Sequence, residues 1–433
     1  MEYWDPKMET IKRGDLQELQ LKRLKKTLAS AYHNVPSYTK KFNDMGIKPS
    51  DIKTLDDVHK LPFTKKNDLR DTYPFGMFAV PMNKVSRIHA SSGTSGKSTV
   101  VGYTQKDLVT WANLMARCFF MAGIRPGDVF QNAANYGLFT GGLGIHAGAE
   151  RLGCAVVPSG TGSTHKQIEM IKDFGVTAMH ATPSYALYIA ETARSMGIEP
   201  GELPLKIGVF GAEPWSVNTR KELEKTFGIK AYDSYGLSEM MGPGVGFECQ
   251  EQNGLHIWED AFIVEVLDKN GEQCAPGEKG ELTLTTLCKE ALPLIRYRTG
   301  DITTLMDGEC ECGRTSVKIS KFYGRADDML IIRGLNVFPS QIEHVLMDMP
   351  EVGEYFQVVL ERVNHLDEMT VRVEMSDKAF SGELGDLQKV TGAVTRKLKD
   401  ALNLRTKVVL VDKGSLPRVE GKSKKVIDLR TSI

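Results

Sequence analysis

The chain has 433 residues, of which 41% are hydrophobic and 25% are charged, and its 55 basic side chains balance its 55 acidic ones. This length predicts more than one domain, and the zero net charge gives no whole-chain reason to expect binding to nucleic acid or to a membrane. We therefore expect a small-molecule ligand, and a cytoplasmic location because the chain has neither an apolar run of the ~18 residues that span a membrane nor a signal-peptide pattern at its start.

The first predicted element is an amphipathic helix from Leu16 to Ala31, in which leucines recur at helical spacing with basic residues between them. We interpret the basic residues as a solvated helix face. A patch for a membrane or an acidic partner is the alternative interpretation.

The segment from Ser91 to Lys97, with the sequence SSGTSGK, is a candidate phosphate-binding loop. Its glycines allow successive N–H groups to point at an anion, its hydroxyls add donors, and Lys97 adds a positive charge. Its glycine spacing differs from that of the common P-loop. The alternating residues from Thr99 to Thr104 predict a strand next, which argues against a flexible linker.

From about residue 100 to residue 240, short apolar strands alternate with helices. Strands are predicted at residues 155–158, 176–180 and 207–210, and a helix at residues 184–196. This alternation is typical of an α/β fold with a mostly parallel sheet.

The composition changes after about residue 255. Apolar strands at residues 262–267 and 281–286 lie on either side of Asn270-Gly271, a hairpin signal, so we expect a β-rich part at about residues 247–322. The last hundred residues predict a separate α+β unit with a three-stranded sheet, formed by a helix at 339–347, strands at 355–360, 370–374 and 408–411, and a long helix through 396–398. The predicted division is a large α/β domain over residues 1–326 and a small C-terminal α+β domain over residues 327–433.

Three more segments follow the phosphate-binding loop in a fixed order. Residues 235–239 (YGLSE) follow a predicted strand, at the sheet edge where ligands of α/β proteins bind. Residues 297–301 (YRTGD) supply a carboxylate that suits ribose hydroxyls, and residues 324–325 a guanidinium. Residues 417–422 (PRVEGK) place a lysine on a loop. Taken singly, each has an ordinary structural explanation, such as an aspartate that forms a turn.

Together and in this order, the segments resemble the adenylate-forming superfamily of acyl-CoA synthetases, peptide-synthetase adenylation domains and luciferases. Residues 132–142 with 148–153, and residues 289–301, are similar to the phenylacetate-CoA ligase branch of that superfamily. The resemblance implies two steps. The carboxylate of an acid attacks the α-phosphorus of ATP to give acyl-AMP and pyrophosphate, and the thiol of CoA then displaces AMP.

The resemblance also implies the residues that bind the nucleotide and its Mg²⁺. Glu239 is the expected Mg²⁺ ligand, because Mg²⁺ prefers hard oxygen donors. The expected nucleotide-binding residues are Ser91, Thr94, Ser95 and Lys97 for the β- and γ-phosphates, Ser238 for the α-phosphate, Gly211, Ala212, Glu213, Asp233, Ser234 and Tyr235 for the adenine, Asp301 for the ribose, and Arg325 for the ribose or a phosphate.

The C-terminal domain carries the expected catalytic residue. Lys422 is placed to oppose the charge that develops on the acyl-phosphate oxygen in the transition state. The resemblance implies that this domain rotates between the two steps about a hinge at Asp327. An aspartate that caps a loop before the apolar residues 329–332 is the alternative for that position.

The acid is expected to bind against Tyr136, Phe139 and Gly141, where aromatic walls and close backbone approach suit a flat ring. Core packing is the alternative for these residues. With the resemblance, phenylacetate is the first choice of acid, and indoleacetate, hydroxyphenylacetate and a benzoate stay open.

A second site is suggested by Cys249, His256, Cys310 and Cys312. Seven cysteines, an odd number, argue against a disulfide framework, and three thiols with one imidazole are the ligands of a closed structural zinc site. Four unrelated residues in the β-rich part are the alternative.

Two other functions stay open from the sequence. An adenylating enzyme that transfers the acyl group to a carrier-protein thiol or to an amine has the same first-step site. A nucleotide sensor without catalytic activity is the other function, although the set of charged residues argues against it. The resemblance further suggests a homodimer.

Overall fold

The computed structural model describes residues 2–91, 98–213, 215–325, 330–332, 335–363, 366–376, 384–402, 404–417 and 425–430. The chain forms two compact units. The first unit comprises Met1–Ala212 and Phe227–Lys321, and the second comprises Glu213–Thr226 and Phe322–Ile433.

The first half of the chain is rich in helices that alternate with short strands. In chain order its elements are α1 (Pro6–Glu9), α2 (Arg13–Asn34), α3 (Pro36–Asp44), α4 (Lys66–Asp71), β1 (Arg87–Ala90), β2 (Val100–Tyr103), α5 (Gln105–Met121), β3 (Val129–Asn132), α6 (Thr140–Leu152), β4 (Ala155–Val157), α7 (Thr164–Asp173), β5 (Ala178–Ala181), α8 (Pro183–Ser195), β6 (Ile207–Gly211) and α9 (Val217–Phe227).

The second half is rich in strands. Its elements are β7 (Lys230–Leu237), β8 (Gly242–Glu248), β9 (Leu255–Ile257), β10 (Phe262–Leu267), β11 (Lys279–Thr286), β12 (Tyr297–Met306), β13 (Lys318–Ile319), β14 (Gly324–Arg325), β15 (Leu330–Ile332), β16 (Leu335–Val337), α10 (Pro339–Met347), β17 (Val352–Val363), β18 (Leu366–Met375), α11 (Leu384–Leu402), β19 (Lys407–Val411) and β20 (Val426–Asp428).

One long sheet runs through the first unit in the order β10-β11-β12-β13-β9-β8-β7-β6-β5-β3-β4. The strands from β4 to β7 are parallel, and those from β7 to β10 are antiparallel. The predicted parallel α/β region and the predicted β-rich part are therefore two ends of one sheet. The change of direction occurs at β7, where the polypeptide turns back into β8.

Close packing of α5 against α6 covers the sheet next to β8. A Cβ atom at Gly144 would overlap the Trp111 ring, so glycine is needed for this close approach. The Trp111 ring also stacks on Tyr103, with ring centroids 4.9 Å apart. This aromatic layer supports the region where β7 ends.

The N-terminus of α5 is capped by its own sequence. The Thr104 hydroxyl accepts from the Asp107 N–H at 3.1 Å, and the Asp107 carboxylate accepts from the Thr104 N–H at 2.8 Å, a capping box. The buried Asp107 carboxylate also accepts from the backbone N–H groups of Glu290 and Ala291 at 2.6 and 3.0 Å. One side chain thus fixes the helix start and the segment that follows β11.

In the second unit, a four-stranded sheet has the order β19-β18-β17-β20. Its apolar core contains residues of α10, α11 and the strands, among them Ile342, Leu346, Val371 and Leu398, all fully buried. The hairpin β15–β16 belongs to the same unit.

The predicted fold class is confirmed, with two differences in detail. The C-terminal sheet has four strands instead of three, because Val426–Asp428 pairs in parallel with β17 and is too short to show a strand pattern. Strand β5 begins at Ala178, two residues after the predicted start. In the described part of the chain, no helix combines the length and the apolar character that a membrane crossing requires.

Candidate active site and cysteine–histidine cluster

The parallel strands β3, β6 and β7 end at one edge of the sheet, and several predicted site residues of the first unit lie on the last residues of β6 and β7 or just after the ends of β3, β6 and β7. Ligands of α/β sheets bind at such an edge. Local sequence contributes at two of these ends: β6 finishes in Gly211, and β7 is followed by Ser238, small residues that let the chain turn.

The turn between β7 and β8, which we call the Ser238 turn (residues 238–241), presents two buried polar side chains. The Ser238 hydroxyl lies 3.0 Å from the Thr140 hydroxyl. The Glu239 carboxylate accepts from the Thr99 hydroxyl at 2.9 Å. Thr99 also donates its N–H to the Ser91 hydroxyl at 3.0 Å, so Ser91 and Glu239, predicted from separate segments, are linked through one threonine.

The backbone of the Ser238 turn is held by Lys289, which the sequence analysis did not single out. The Lys289 ammonium donates to the Glu239 and Met240 carbonyls at 3.0 and 2.6 Å. No pattern in the sequence points to this role, since lysines are mostly exposed. The available signal was its place as the first residue of the similar segment 289–301.

The predicted adenine and ribose residues meet at one contact. The Tyr235 hydroxyl, on β7, donates to the Asp301 carboxylate at 2.6 Å. Asp301 is buried on β12, and its backbone N–H donates to the Thr299 hydroxyl at 3.0 Å. The hydrogen bond from Tyr235 therefore orients a carboxylate that the strand already places.

The end of β6 lies beside β7, with Gly211 paired to Ser234. A Cβ atom at Gly211 would overlap the Ser234 carbonyl, and Ala212 has a φ of 68°. The neighbouring Asp233 donates its N–H to the Glu248 carboxylate at 2.8 Å. Within the described residues, the buried Ser234 hydroxyl has no hydrogen-bond partner, so it is free to bind a polar group of a ligand.

Two predicted site residues belong to the second unit. Glu213 follows Ala212 directly, and Arg325 is the second residue of β14. Thr94, Ser95, Lys97, Asp327 and Lys422, also predicted from the sequence, lie outside the described residues.

The predicted acid-binding residues follow the end of β3. The Tyr136 hydroxyl accepts from the Asn132 side-chain amide at 2.9 Å and lies 3.1 Å from His146 Nδ1. The other ring nitrogen of His146 lies 3.0 Å from the Glu150 carboxylate, one turn further along α6. The Phe139 ring is 42% exposed and lies against the Cα of Gly141, where a Cβ atom would overlap it.

A second buried constellation is formed by Cys249, His256, Cys310 and Cys312, which we call the cysteine–histidine cluster. Their ligand atoms all lie within 4.8 Å of one another. The Cys249 and Cys310 sulfurs are 3.6 Å apart, and the Cys312 sulfur is 3.4 Å from His256 Nε2. The structure therefore brings together all four residues that the sequence suggested as a zinc site.

The pKa values in the cluster shift with these contacts. The hydrogen bonds with Cys249 and with His256 lower the pKa of the Cys312 thiol despite its burial. The hydrogen bond between Cys249 and Cys312 raises the pKa of the Cys249 thiol. Burial opposes the charged form of His256, but its bonds to the Cys310 and Cys312 sulfurs raise its pKa overall. A metal ion binds thiolates and neutral imidazole, so its binding here would release the protons that Cys249 and His256 hold in the metal-free cluster.

Two local features build the cluster. Gly313, with a φ of 68°, donates its N–H to the Cys310 carbonyl at 2.8 Å, which closes a tight turn around the cysteine pair. The His256 Nδ1 atom lies 3.0 Å from the Ser316 hydroxyl, which fixes the ring so that Nε2 faces the sulfurs.

An N-terminal ion pair supports the same segment. The Arg314 guanidinium pairs with the Glu9 carboxylate at 2.7 Å, and both side chains are buried. The Glu9 carbonyl also accepts from the Thr315 N–H at 3.1 Å. The segment that carries Cys310 and Cys312 is therefore fixed to α1.

Comparison with known proteins gives similarities over nearly the whole chain. The profile of the AMP-binding enzymes matches residues 48–287, and that of the AMP-binding enzyme C-terminal domain matches residues 334–430. The chain is 47% identical over 443 residues to the phenylacetate-coenzyme A ligase of Thermus thermophilus, covering 99% of each. It is 48% identical over 432 residues to the phenylacetate-coenzyme A ligase of Escherichia coli strain K12, covering 99% of this chain and 98% of that protein.

A solved structure shares the fold. The crystal structure of 2-hydroxyisobutyryl-CoA ligase in the postadenylation state, in complex with 2-HIB-AMP, matches with a TM-score of 0.93 and 32% identity, covering 99% of this chain and 93% of that one.

Proposed function

The chain belongs to the phenylacetate-coenzyme A ligase family of AMP-binding enzymes, and on that premise we propose that it converts phenylacetate or a related aryl acid to its CoA thioester through an acyl-AMP intermediate. The observation that carries this proposal is the edge formed by β6 and β7. There β7 carries the unpartnered Ser234 hydroxyl and Tyr235, the Ser238 turn follows its end, and the Tyr235 hydroxyl donates to the Asp301 carboxylate of β12.

The first step is an in-line displacement at the α-phosphorus. A carboxylate oxygen of the acid forms the new P–O bond while the bond to pyrophosphate breaks, and the protein contributes positioning and charge neutralisation. The Ser238 hydroxyl binds a nonbridging oxygen of the α-phosphate, and Asp301 accepts from the ribose hydroxyls. The loop from Ser91 to Lys97 donates to the β- and γ-phosphates that leave.

In the second step the CoA thiol loses its proton and attacks the acyl carbonyl, and AMP leaves with the bridging oxygen. Lys422 opposes charge on the acyl-phosphate oxygen in the first step, and it acts in that step only because the domain that carries it rotates before the second. We propose that residues 327–433 form a mobile domain with its hinge at Asp327, and that residues 1–326 form the adenylation domain. The chain acts in the cytoplasm as a homodimer.

The Ser238 turn fits Mg²⁺ through the chemistry of its donors. Glu239 offers a buried carboxylate, with the hydroxyls of Thr99 and Ser91 beside it, and Mg²⁺ prefers such hard oxygen ligands. Glu239 would hold the Mg²⁺, and the ion would supply neutralisation of phosphate charge.

The acid ring packs against Phe139 and Tyr136. The exposed Phe139 ring offers an apolar face, and the Tyr136 hydroxyl is already engaged by Asn132 and His146. A pocket with a satisfied phenol suits an unsubstituted ring better than a hydroxylated one, which supports phenylacetate over hydroxyphenylacetate.

The cysteine–histidine cluster binds a structural zinc ion. Three sulfurs and one imidazole nitrogen within 4.8 Å of one another are a complete tetrahedral ligand set, which leaves no position for a substrate. The Ser316 hydroxyl at His256 Nδ1 supplies the outer contact that such ligands usually have. The ion stabilises the β-rich part of the first unit.

The test is a pyrophosphate-release assay with a panel of aryl acids, with and without CoA. We expect acid-dependent release that is fastest with phenylacetate, and thioester formation only when CoA is present. Pyrophosphate release without any CoA thioester, together with transfer of the acyl group to a carrier-protein thiol or to an amine, would contradict CoA as the acceptor. No acid-dependent release with any acid would contradict the proposed function as a whole.

The Lys422→Ala variant separates the two steps. We expect it to abolish pyrophosphate release while it leaves thioester formation from preformed acyl-AMP largely intact. Equal loss of both steps would show that Lys422 has a different role. Lys413→Ala is the matched control, since it removes a lysine from the preceding turn.

A further inference from the structure

Three successive carbonyls of the Ser238 turn are bound by side chains from outside the turn. The Tyr103 hydroxyl donates to the Ser238 carbonyl at 3.4 Å, and the Lys289 ammonium donates to the Glu239 and Met240 carbonyls at 3.0 and 2.6 Å. The side chains of Ser238 and Glu239 are bound by different groups, the hydroxyls of Thr140 and Thr99. Backbone and side chains of the turn are therefore fixed independently.

Lys289 is itself rigidly placed. The Asp107 carboxylate accepts from the N–H groups of the two residues after Lys289, at 2.6 and 3.0 Å. The Lys289 ammonium also lies 4.5 Å from the centre of the Tyr103 ring, a cation–π contact. The path from the cap of α5 to the Ser238 turn thus consists of short contacts between buried groups.

The environment of Lys289 is costly for an ammonium group. Its side chain is buried, and its direct partners are carbonyls and an aromatic ring. Burial lowers the pKa of Lys289 to about 7, although the charges of Asp107 and Glu239 favour the protonated form. An apolar side chain of similar length would avoid this desolvation cost but would leave the Glu239 and Met240 carbonyls without this donor, so the role of Lys289 lies in holding that backbone.

We propose that Lys289 is a positioning residue for the first half-reaction: it holds the carbonyls of Glu239 and Met240 so that the Ser238 hydroxyl and the Glu239 carboxylate face the metal–nucleotide complex. This inference rests on the proposed function, because it takes Glu239 as the residue that holds Mg²⁺. Lys289 is not proposed to contact the substrate. It acts through the backbone of the turn, as outer contacts of metal ligands do.

The test compares Lys289→Met with wild type by two measurements. The first is calorimetric binding of Mn²⁺ in the presence of an ATP analogue with a methylene group between the α- and β-phosphates, which cannot be cleaved there. The second is pyrophosphate release as a function of Mg²⁺ concentration. We expect Mn²⁺ affinity and the rate of release to fall by about 10- to 100-fold, and thioester formation from preformed acyl-AMP to change by less than about 3-fold.

Lys41→Met is the matched control. Its ammonium also donates to a backbone carbonyl, that of Phe63 at 2.8 Å, but it contacts no atom of the Ser238 turn. We expect wild-type Mn²⁺ binding from this variant. A Lys289→Met protein with wild-type Mn²⁺ affinity and a lower melting temperature would overturn the proposal and leave Lys289 a purely structural residue.

Two further variants separate the possible failures. Glu239→Gln with unchanged Mn²⁺ affinity would contradict the proposed role of Glu239, whereas a loss in Glu239→Gln without a loss in Lys289→Met would contradict only the role of Lys289. If Lys289→Met does not fold, Tyr103→Phe tests the same turn through the Ser238 carbonyl. We expect it to weaken Mn²⁺ binding by about 3-fold, and wild-type affinity would overturn the proposal.

Discussion

The Ser238 turn and the cysteine–histidine cluster are both buried and polar, but their polar atoms are satisfied in different ways. In the turn, hydroxyls and an ammonium group from neighbouring elements bind the carbonyls and the Glu239 carboxylate. In the cluster, sulfur and nitrogen atoms face one another within 4.8 Å. The turn is organised by the protein alone, whereas the cluster has the arrangement of a site completed by a metal ion.

This difference separates catalytic from structural chemistry. A preorganised turn can bind and release a metal–nucleotide complex in each catalytic cycle without rearranging. A closed set of thiolates binds its ion permanently and offers no free position. Changes in the turn should therefore alter rates, and changes in the cluster should alter stability.

The largest effect is expected from Glu239→Gln. Loss of the carboxylate charge should reduce the rate of pyrophosphate release by roughly 100-fold or more, because it removes the proposed Mg²⁺ ligand. The melting temperature should change little. The measurement is a rate titration with Mg²⁺, with Glu265→Gln as a control for loss of a carboxylate that pairs with Arg296 elsewhere in the first unit. A Glu239→Gln enzyme with a normal rate of pyrophosphate release would contradict the catalytic role proposed for the Ser238 turn.

Cys312→Ser is expected to act on stability instead. Loss of a metal present at 100 times its Kd costs about 2.7 kcal/mol, which is roughly 4 °C in melting temperature for a unit of this size. Metal analysis should show one zinc ion in the wild type and less in the variant, while kcat of the folded enzyme stays within about 2-fold. Cys274→Ser, which removes a buried thiol outside the cluster, should keep the zinc ion. Wild type without zinc, purified in the absence of chelators, would contradict the proposed site.

The pH dependence of stability should show the effect of burying the Lys289 ammonium next to the Ser238 turn. The pKa of Lys289 is lowered from 10.5 to about 7 in the folded state, so the unfolded state binds more protons between these values. Wild-type stability should therefore rise with pH over this window relative to Lys289→Met, by up to about 1.4 kcal/mol per pH unit. Denaturant unfolding at pH 6.5, 7.5 and 8.5 measures it, and parallel curves for the two proteins would contradict the lowered pKa.

The smallest effect is expected from Tyr235→Phe. The variant loses the hydrogen bond that orients Asp301, a contact of 2.6 Å. The KM for ATP should rise about 3- to 10-fold with kcat nearly unchanged, because the bond acts in binding more than in the transition state. Tyr32→Phe, which removes a surface hydroxyl bound to Asn43, is the control. A lower kcat at unchanged KM would contradict this role and indicate that Tyr235 acts in the transition state instead of in ribose binding.

Much of the fold was predictable because its signals are local. Apolar strands with intervening helices indicated the parallel part of the sheet, and Asn270-Gly271 indicated the antiparallel pairing of β10 with β11. Strand β20 was missed because three residues carry no periodic signal. That the two parts form one continuous sheet depends on the pairing of β7 with β8, which no local pattern encodes.

The candidate site was predictable where residue type alone limits the chemistry. Three cysteines with a histidine, like a carboxylate that follows a strand, have few chemical roles. The structure brings the four cluster residues together. Lys289 and Thr99 were not singled out, because their importance comes from which carbonyl or carboxylate they reach. Such contacts depend on the tertiary packing of α5, β2 and the segment after β11.

The central claim, an acyl-AMP intermediate, is tested most directly by oxygen transfer. Phenylacetate labelled with ¹⁸O in both carboxylate oxygens is converted with ATP, Mg²⁺ and CoA, and the products are analysed by mass spectrometry. We expect one ¹⁸O atom in AMP and one in the thioester carbonyl, because the attacking carboxylate oxygen leaves with AMP. Label in pyrophosphate or inorganic phosphate, or AMP without label, would contradict it.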